Sequence, residues 1–332
     1  MRIAISINGQ GRGHLTRMTA LGQVLAEEHD LVFWCPEKYH SFLAENFPGS
    51  YIYPIPHYQF ILDGPKIDLI KTSLVNVEHF IGLPAYTSDL VDQLHLMDID
   101  LVLSDFEPFL PKAARKARIP IIQLNHPAVV LRSVAFTAEA LLAKVISTSM
   151  MGEYDIRIIS SFYNGDVGPI IRKEIKNAVP GNGDYFVVYL YKTMCSEILE
   201  QIDRIPGFKY KVFPNPDEDF VAALAGCRGV ITNSGHQLLS EALHLGKPVL
   251  SIPMEGQYEQ KLNAEMLNKA GRGIIGSVET IKSDLTSYLN FVESFDPSRP
   301  VAAENIKFRL KDDAESAVSL LNYHIFKYRA VS

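Results

Sequence analysis

The sequence predicts an α/β protein of two doubly wound parallel-sheet domains that face one another across a cleft. Three observations lead to this prediction. Short apolar runs of the kind that buried parallel strands show alternate with stretches of helical periodicity. A chain of 332 residues exceeds what a single hydrophobic core usually holds. Turn-forming residues, among them Gly168, Pro169, Pro180 and Gly181, interrupt the alternation near the middle of the chain.

The N-terminal domain is predicted to span residues 1–165. It opens with an apolar strand over 2–7, and a helix over 12–28 follows, in which apolar side chains recur at helical spacing. Because each later strand is also followed by a turn or a helix, the strands of this domain are predicted to form a parallel sheet. Further strands are predicted at 31–35, 50–54, 100–104, 120–124 and 155–161, and further helices at 111–117 and 133–151.

The C-terminal domain, predicted over 183–310, repeats the same alternation. Both halves are therefore predicted to be Rossmann-like, with a ligand crevice at the carboxyl ends of their strands. The chain from Pro300 onward is charged and predicted to be helical, and we expect a last helix over 311–332 to pack back on the N-terminal domain. The predicted strands are 185–190, 210–213, 229–232 and 248–252, and the predicted helices are 196–202, 220–225, 238–245 and 258–270.

Composition excludes some classes of function. The formal net charge is −6, with 32 basic and 38 acidic side chains, so the clustered basic surface of a nucleic-acid-binding protein is not expected. The three cysteines, Cys35, Cys195 and Cys227, have neither disulfide nor metal spacing, which is typical of a reducing compartment. The first apolar run is read as a strand, and not as a signal peptide, and we expect a cytoplasmic protein.

Residues 232–264 contain the most informative pattern. A buried strand ends at Thr232, and a turn through Gly235 leads into a helix. The unpaired N–H groups and the positive dipole end of a helix start suit an anion such as a diphosphate. Glu241, about two turns into the helix, would accept hydrogen bonds from a ribose. The alternative is that Ser234 only caps the helix and that Glu241 lies on a solvated face.

The loop after the next strand is rich in acidic and amide side chains. Glu255, Gln257, Glu259 and Gln260 follow a buried strand that ends at Pro253. Such side chains donate and accept in fixed directions, as recognition of sugar hydroxyls requires. Two neighbouring polar loops, one suited to diphosphate and ribose and one to a sugar, predict a nucleotide-sugar pocket.

This segment resembles the donor-binding signature of GT-B glycosyltransferases, in particular the UDP-glycosyltransferase superfamily and the peptidoglycan N-acetylglucosamine transferase. The resemblance implies that Glu241 contacts the ribose, that Glu259 and Gln260 contact the transferred sugar, and that a nucleotide sugar is the substrate, with no cofactor and no metal. The sequence departs from the pattern at Asn233, where many relatives carry histidine. The residues implied to face the diphosphate are Asn233, Ser234, Gly235, His236 and Gln237.

A glycine-rich loop with Gly9, Gly11 and Gly13 follows the first strand and ends at His14. Its GxGxG spacing is not the dinucleotide fingerprint. Glycines at these positions indicate that the backbone comes close to a ligand, so we predict that Gly11 and Gly13 contact the donor. The loop resembles the first loop of the same families, in one of which the histidine is the base that deprotonates the acceptor.

Histidine suits a general base because the ordinary pKa of its side chain lies near working pH. Asp105, at the end of a later strand, is predicted to orient His14 as the aspartate of plant relatives does. Glu107 is the alternative candidate for this role. The alternatives are a packing or capping role for His14 and a turn role for Asp105. Glu107 and His126 are also predicted on the acceptor side, while Arg17 is read either as a phosphate contact or as a surface residue.

Together these observations predict an inverting, metal-independent glycosyltransferase of the hexosyl or N-acetylhexosaminyl type, with UDP favoured by the resemblance. The alternatives are a sugar-nucleotide 2-epimerase and a non-catalytic nucleotide-sugar-binding subunit. Residues 57–90 and 133–151 should line the acceptor side. The second range is predicted to pack in the core, and the alternatives are a lid and a membrane-surface contact. A surface contact would favour a lipid-linked acceptor over a small molecule. A peripheral position at the inner membrane face would follow, with a role in cell-envelope or glycoconjugate biosynthesis.

Overall fold

The computed structural model describes residues 1–59, 61–63, 66–67, 69–301 and 305–329. Parts of three predicted ranges lie outside the described residues. They are residues 60, 64, 65 and 68 of the predicted acceptor side, residues 302–304 of the predicted C-terminal domain, and residues 330–332 of the predicted last helix.

The N-terminal half is built on a parallel sheet of six strands. A short antiparallel pair of strands interrupts the chain after the third strand. The strands are β1 (Arg2–Ile7), β2 (Asp30–Cys35), β3 (Tyr51–Pro54), β4 (Leu62–Asp63), β5 (Lys66–Ile67), β6 (Leu101–Asp105), β7 (Ile121–Asn125) and β8 (Ile156–Ile159), with the sheet order β3-β2-β1-β6-β7-β8. The helices are α1 (Gly13–Leu25), α2 (His40–Asn46), α3 (Leu69–Leu96), α4 (Phe109–Ala117) and α5 (Ala138–Met151), with 3-10 helices at Glu37–Tyr39 and Pro127–Arg132.

The C-terminal half is built on a second parallel sheet, of five strands in the order β10-β9-β11-β12-β13. Its strands are β9 (Phe186–Tyr189), β10 (Tyr210–Phe213), β11 (Gly229–Thr232), β12 (Val249–Ser251) and β13 (Gly273–Ile275). Its helices are α6 (Lys173–Asn177), α7 (Lys192–Asp203), α8 (Phe220–Gly226), α9 (His236–His244), α10 (Tyr258–Lys269) and α11 (Ile281–Glu293), and α12 (Ala314–Arg329) follows. Two Rossmann-like parallel-sheet domains confirm the predicted fold class.

The strand order of each sheet reverses at one point, and ligands of such sheets bind at that point. The reversal lies between β1 and β6 in the first sheet and between β9 and β11 in the second. The glycine-rich loop follows β1, and the loop through Gly235 follows β11. Both predicted ligand loops therefore lie where the topology favours binding.

The last helix, α12, packs on the first domain. Its buried face shares one apolar cluster with β1 and α1, through Ala314, Ala317, Leu321 and Ile325. The chain thus returns to the N-terminal half after completing the second sheet. The helical prediction from Pro300 onward was wrong for described residues before Ala314, because α12 begins only there.

The prediction for residues 133–151 holds only in part. The helix begins at Ala138, because Thr137 caps it by accepting a hydrogen bond from the N–H of Ala140 at 3.2 Å. One face of the helix does pack in the core, where Ala140 and Met151 are fully buried, while other side chains of the segment are exposed. Five apolar side chains are exposed, and we call them the apolar patch: Val134 (87%), Phe136 (83%), Leu141 (48%), Leu142 (50%) and Val145 (63%).

Candidate active site

His14 and Asp105 meet because their strands are neighbours. β1 pairs with β6 in a register that places Ile7 opposite Asp105, so the loop after β1 begins beside that carboxylate. His14 lies in the first turn of α1, and its Nδ1 is 2.9 Å from Asp105 Oδ1. The side chain of His14 is 12% exposed, whereas that of Asp105 is fully buried. Of the two candidate partners, Asp105 is therefore the one that contacts the imidazole.

Glu107 has a different position. Its carboxylate accepts hydrogen bonds from the N–H groups of Phe109 at 2.6 Å and Leu110 at 3.0 Å, and so caps α4. Burial raises the pKa of Glu107 to about 7, although these hydrogen bonds oppose the rise. The residue lies inside the first domain and supports the chain that follows Asp105.

The glycine-rich loop is held by polar contacts that sequence inspection missed. Asn8 donates from Nδ2 to the carbonyl of Phe106 at 2.5 Å and accepts the N–H of Gln10 at 2.6 Å. The Tyr39 hydroxyl donates to the carbonyl of Gly11 at 2.5 Å, and Gly11 has a φ of +65°, which favours glycine. The loop is thus fixed to the ends of both central strands.

The two domains approach each other closely at Gly13. A Cβ atom at this position would lie 3.3 Å from Cβ of Gln237, so the start of α1 approaches the start of α9. The N-cap residues, Arg12 and Gly235, make no side-chain hydrogen bond to their helix starts. Two helix N-termini with free N–H groups therefore converge beside His14, which concentrates positive potential there.

The start of α9 is open at Gly235. This residue is the N-cap, with φ −69° and ψ 126°, and a Cβ atom there would meet nothing within 4 Å. The first turn of α9 carries no acidic residue. The geometry therefore leaves backbone N–H groups available to an anion above Gly235.

The side chains beside Gly235 are already engaged with the protein. Asn233 accepts the N–H of Tyr191 at 2.8 Å and donates to the carbonyl of Ile252 at 3.0 Å. The hydroxyls of Ser234 and Ser251 lie 2.7 Å apart, and Ser234 is fully buried. Their carbonyls also accept hydrogen bonds, that of Asn233 from the N–H of Gly235 and that of Ser234 from Asn263, so both residues shape the loop.

His236 and His126 form a stacked pair between the domains. Their ring centroids lie 3.6 Å apart at an interplanar angle of 12°, and both rings are buried. His236 Nε2 accepts the N–H of Phe162 at 3.2 Å. Burial lowers the pKa of His126 to about 3 and that of His236 well below its usual value, so both rings are neutral. The imidazole of His236 thus packs against the first domain.

Asn263 links this pair to the loop of Gly235. Its Oδ1 lies 2.9 Å from His126 Nε2 and accepts the Tyr163 hydroxyl at 2.7 Å, while its Nδ2 donates to the carbonyl of Ser234 at 3.0 Å. Asn263 is fully buried. Nothing in the sequence singled it out, because its partners are 29 to 137 positions away.

Glu241 is buried beside α6. Its Oε2 accepts a hydrogen bond from Arg172 Nη2 at 3.0 Å, and its Oε1 lies 3.4 Å from Gln237 Nε2. Burial raises the pKa of Glu241, and the charge of Arg172 opposes that rise. A carboxylate can accept about four hydrogen bonds, so two sites remain for a ligand.

Glu259 and Gln260 point to different surroundings. Gln260 is buried, accepting the N–H of Met254 at 3.0 Å and donating to Gln257 at 2.7 Å, so it closes the loop after β12. The side chain of Glu259 is 33% exposed and lies 3.6 Å from His126. Burial raises the pKa of Glu259, while the charges of His14 and Arg17 lower it. Glu259 thus faces the His14 region across the cleft.

Arg17 is neither a surface residue nor free to bind a phosphate. Its guanidinium donates three hydrogen bonds to Asp105, from Nε to Oδ2 at 3.0 Å and from Nη2 to Oδ1 at 2.8 Å and Oδ2 at 2.7 Å. Burial would raise the pKa of Asp105, but the charges of Arg17 and His14 hold it below its usual value. Asp105 is therefore an anion that contacts both the guanidinium of Arg17 and the imidazole of His14.

A cavity of about 250 Å³ opens between α3, α4 and α5. It has aromatic and apolar walls with charged residues at its edge, and it draws on both ranges predicted for the acceptor side. Its lining residues are Tyr58, Leu83, Pro108, Phe109, Lys112, Ser149, Gly152 and Glu153.

Comparison with known proteins identifies similar chains. The family model described as glycosyl transferase family 1 matches residues 1–293. An uncharacterized glycosyltransferase of Methanosarcina mazei is 25% identical over 330 residues, which cover 82% of this chain and 85% of the relative. One from Methanosarcina acetivorans is 24% identical over 341 residues, covering 84% and 86%.

Solved structures share the two-domain fold. A glycosyltransferase from Phytolacca americana, UGT2 with UDP-2fluoro-glucose and pterostilbene, is 15% identical at a TM-score of 0.61, covering 96% of this chain and 98% of its own. The glycotransferase of kitacinnamycin is 16% identical at a TM-score of 0.60, covering 90% and 91%. A spinosyn rhamnosyltransferase with thymidine diphosphate is 14% identical at a TM-score of 0.54, covering 88% and 94%.

Proposed function

The chain belongs to glycosyl transferase family 1, and we propose that it transfers a sugar from a nucleotide diphosphate donor to a hydroxyl acceptor by one inverting displacement. One observation carries this proposal. The pair of His14 and Asp105, 2.9 Å apart, lies beside the uncapped start of α9. A base and an anion site side by side are what the attack and the departure of a diphosphate require.

The proposed reaction uses three parts of the site. Nε2 of His14 takes the acceptor proton while the acceptor oxygen attacks the anomeric carbon from the side opposite the diphosphate, so the configuration inverts. The bond to the diphosphate breaks, and the N–H groups of the first turn after Gly235 stabilise the negative charge, with no metal in the proposal. Glu259 accepts hydrogen bonds from hydroxyls of a hexosyl or N-acetylhexosaminyl group.

We propose UDP as the nucleotide. The Phytolacca americana enzyme was solved with UDP-2fluoro-glucose and the spinosyn enzyme with thymidine diphosphate, so similar folds hold nucleoside diphosphates. A thermal-shift screen of UDP, TDP, GDP and their sugars should give the largest stabilisation with a uridine ligand. Release of UDP from the matching donor, with and without EDTA, would then test turnover and metal independence. A chain that no nucleotide stabilises would contradict the proposal.

Replacing Glu241 with alanine is expected to raise the donor KM by about ten- to a hundredfold, because a charged acceptor of ribose hydrogen bonds is lost. Arg172, which is 29% exposed, would become free to reach water, so the fold should survive. Steady-state kinetics with varied donor measure the effect. Glu174→Ala, on neighbouring α6, is the matched control, and an unchanged donor KM in Glu241→Ala would remove the ribose assignment.

The acceptor is proposed to be lipid-linked. In α/β domains, helices run antiparallel to the strands, so the start of α5 lies at the carboxyl edge of the sheet, beside the cleft. The apolar patch occupies the chain before α5 and its first turns. In the described ranges, no helix is long and apolar enough to cross a bilayer. We therefore propose peripheral contact with the inner membrane face from the cytoplasm, in cell-envelope or glycoconjugate biosynthesis.

The chain is expected to sediment with vesicles of phosphatidylcholine and phosphatidylglycerol, because the apolar patch would enter the interface. The double variant Phe136→Glu and Leu142→Glu should remain in the supernatant. Phe326→Glu, which changes a 71% exposed side chain on α12, is the matched control and should sediment like the unaltered chain. A chain that stays in the supernatant without substitutions would favour a small-molecule acceptor.

A further inference from the structure

Arg17 is a buried cation that has no assigned contact with either the donor or the acceptor in the proposed reaction. Its side chain is 3% exposed, and its Nε and Nη2 donate three hydrogen bonds to Asp105. Arg17 lies three residues after His14 on α1, a spacing that puts two side chains on one helix face. The carboxylate of Asp105 therefore stands between two groups from the same helix.

The contacts determine which nitrogen of His14 carries a proton. Nδ1 lies 2.9 Å from Asp105 Oδ1. If Nδ1 were bare, two lone pairs would face one another at this distance, which is repulsive, so Nδ1 carries the hydrogen and donates it. Arg17 Nη2, at 3.2 Å from Nδ1, is then a close positive charge and not a donor to the ring. The other nitrogen, Nε2, holds the lone pair of the neutral ring.

Arg17 also changes the charge that His14 meets. A lone buried carboxylate would favour a protonated imidazole, but the guanidinium cancels most of that charge at short range. The other titratable groups near His14 are Glu259 from α10 and the neutral rings of His126 and His236. Glu259 favours the protonated ring, so Arg17 is the cation that opposes both carboxylates.

We propose that Arg17 is a positioning residue that, through Asp105, fixes the Nδ1–H form of His14 and so leaves Nε2 as the nitrogen with the free lone pair. Three hydrogen bonds to both oxygens hold the carboxylate in one orientation, which a single-point contact would not. The importance of a bare Nε2 for catalysis rests on the proposed function, whereas the effect of Arg17 on the ring does not.

Histidine-labelled full-length chain, titrated by NMR, tests the proposal without any substrate. The His14 signals are assigned by their loss in His14→Gln. The nitrogen shifts of the unaltered chain should show the Nδ1–H form above the midpoint of the titration. In Arg17→Met the midpoint should rise by about one pH unit or more, because an opposing charge has gone. In Arg17→Lys, which keeps the charge, the midpoint should stay within about half a unit.

Three results would overturn the proposal. One is an Nε2–H ring in the unaltered chain, and another is an unmoved midpoint in a folded Arg17→Met. The third is a rise of the midpoint by about one unit or more in Arg17→Lys. This result can be obtained even if Arg17→Met does not fold. The acid limb of donor hydrolysis should move with the NMR midpoint. A moved midpoint with an unmoved limb would support the role of Arg17 and end that of His14 as the base.

Discussion

Replacing His14 with glutamine is expected to lower kcat by about 10²–10⁴-fold and to change donor affinity by less than about twofold. Glutamine can still donate a hydrogen bond to Asp105, so the buried carboxylate keeps a partner in place of the 2.9 Å contact. It cannot take a proton from an acceptor hydroxyl at neutral pH. The loss therefore falls on the chemical step, and single-turnover transfer with calorimetric donor binding separates the two quantities.

The matched control for this substitution is His324→Gln on α12, outside the cleft. It removes an imidazole without touching Asp105, so turnover should stay close to that of the unaltered chain. A His14→Gln variant that keeps more than about a tenth of the normal kcat would exclude general-base catalysis by this residue. Lost donor binding would instead mean that the imidazole of His14 itself contacts the nucleotide.

The sequence predicted the fold because the information it uses is local. Apolar runs such as Arg2–Ile7 and Gly229–Thr232 are complete strands of two parallel sheets. The meeting of His14 with Asp105 was also predictable, since neighbouring strands end at one edge. Helix α3 was missed, because Pro84 inside it reads as a helix breaker.

Contacts between residues far apart in the sequence could not be predicted from it. Arg17 was judged a phosphate contact or a surface residue, since spacing along α1 cannot show that a carboxylate 88 positions later covers it. Gln260 has the residue type for sugar recognition, but its amide is used by Met254 and Gln257 in its own loop. Glu107 shows the same limit, because a carboxylate beside Asp105 can equally cap the next helix. Residue type predicts chemistry, and packing decides which side chains remain available for it.

Replacing Gly235 with aspartate is expected to weaken donor binding by about a hundredfold or more while leaving the fold as stable as before or slightly more stable. The backbone at this N-cap suits any residue, and a new Cβ would meet no atom within 4 Å. An aspartate there can accept the free N–H groups of α9 and complement the helix dipole, which stabilises the helix by up to about 1 kcal/mol. The same carboxylate takes the N–H groups that a diphosphate needs and repels its charge.

The two effects of Gly235→Asp have opposite signs, so a damaged fold cannot be mistaken for a blocked site. Calorimetric titration with UDP measures the first effect, and thermal unfolding without ligand measures the second. Gly235→Asn has the same shape and also caps the helix, but it adds no charge, so its loss of affinity should be clearly smaller. Equal affinity in the aspartate variant and the unaltered chain would show that the start of α9 does not hold the diphosphate, and the leaving group would then need another source of positive potential.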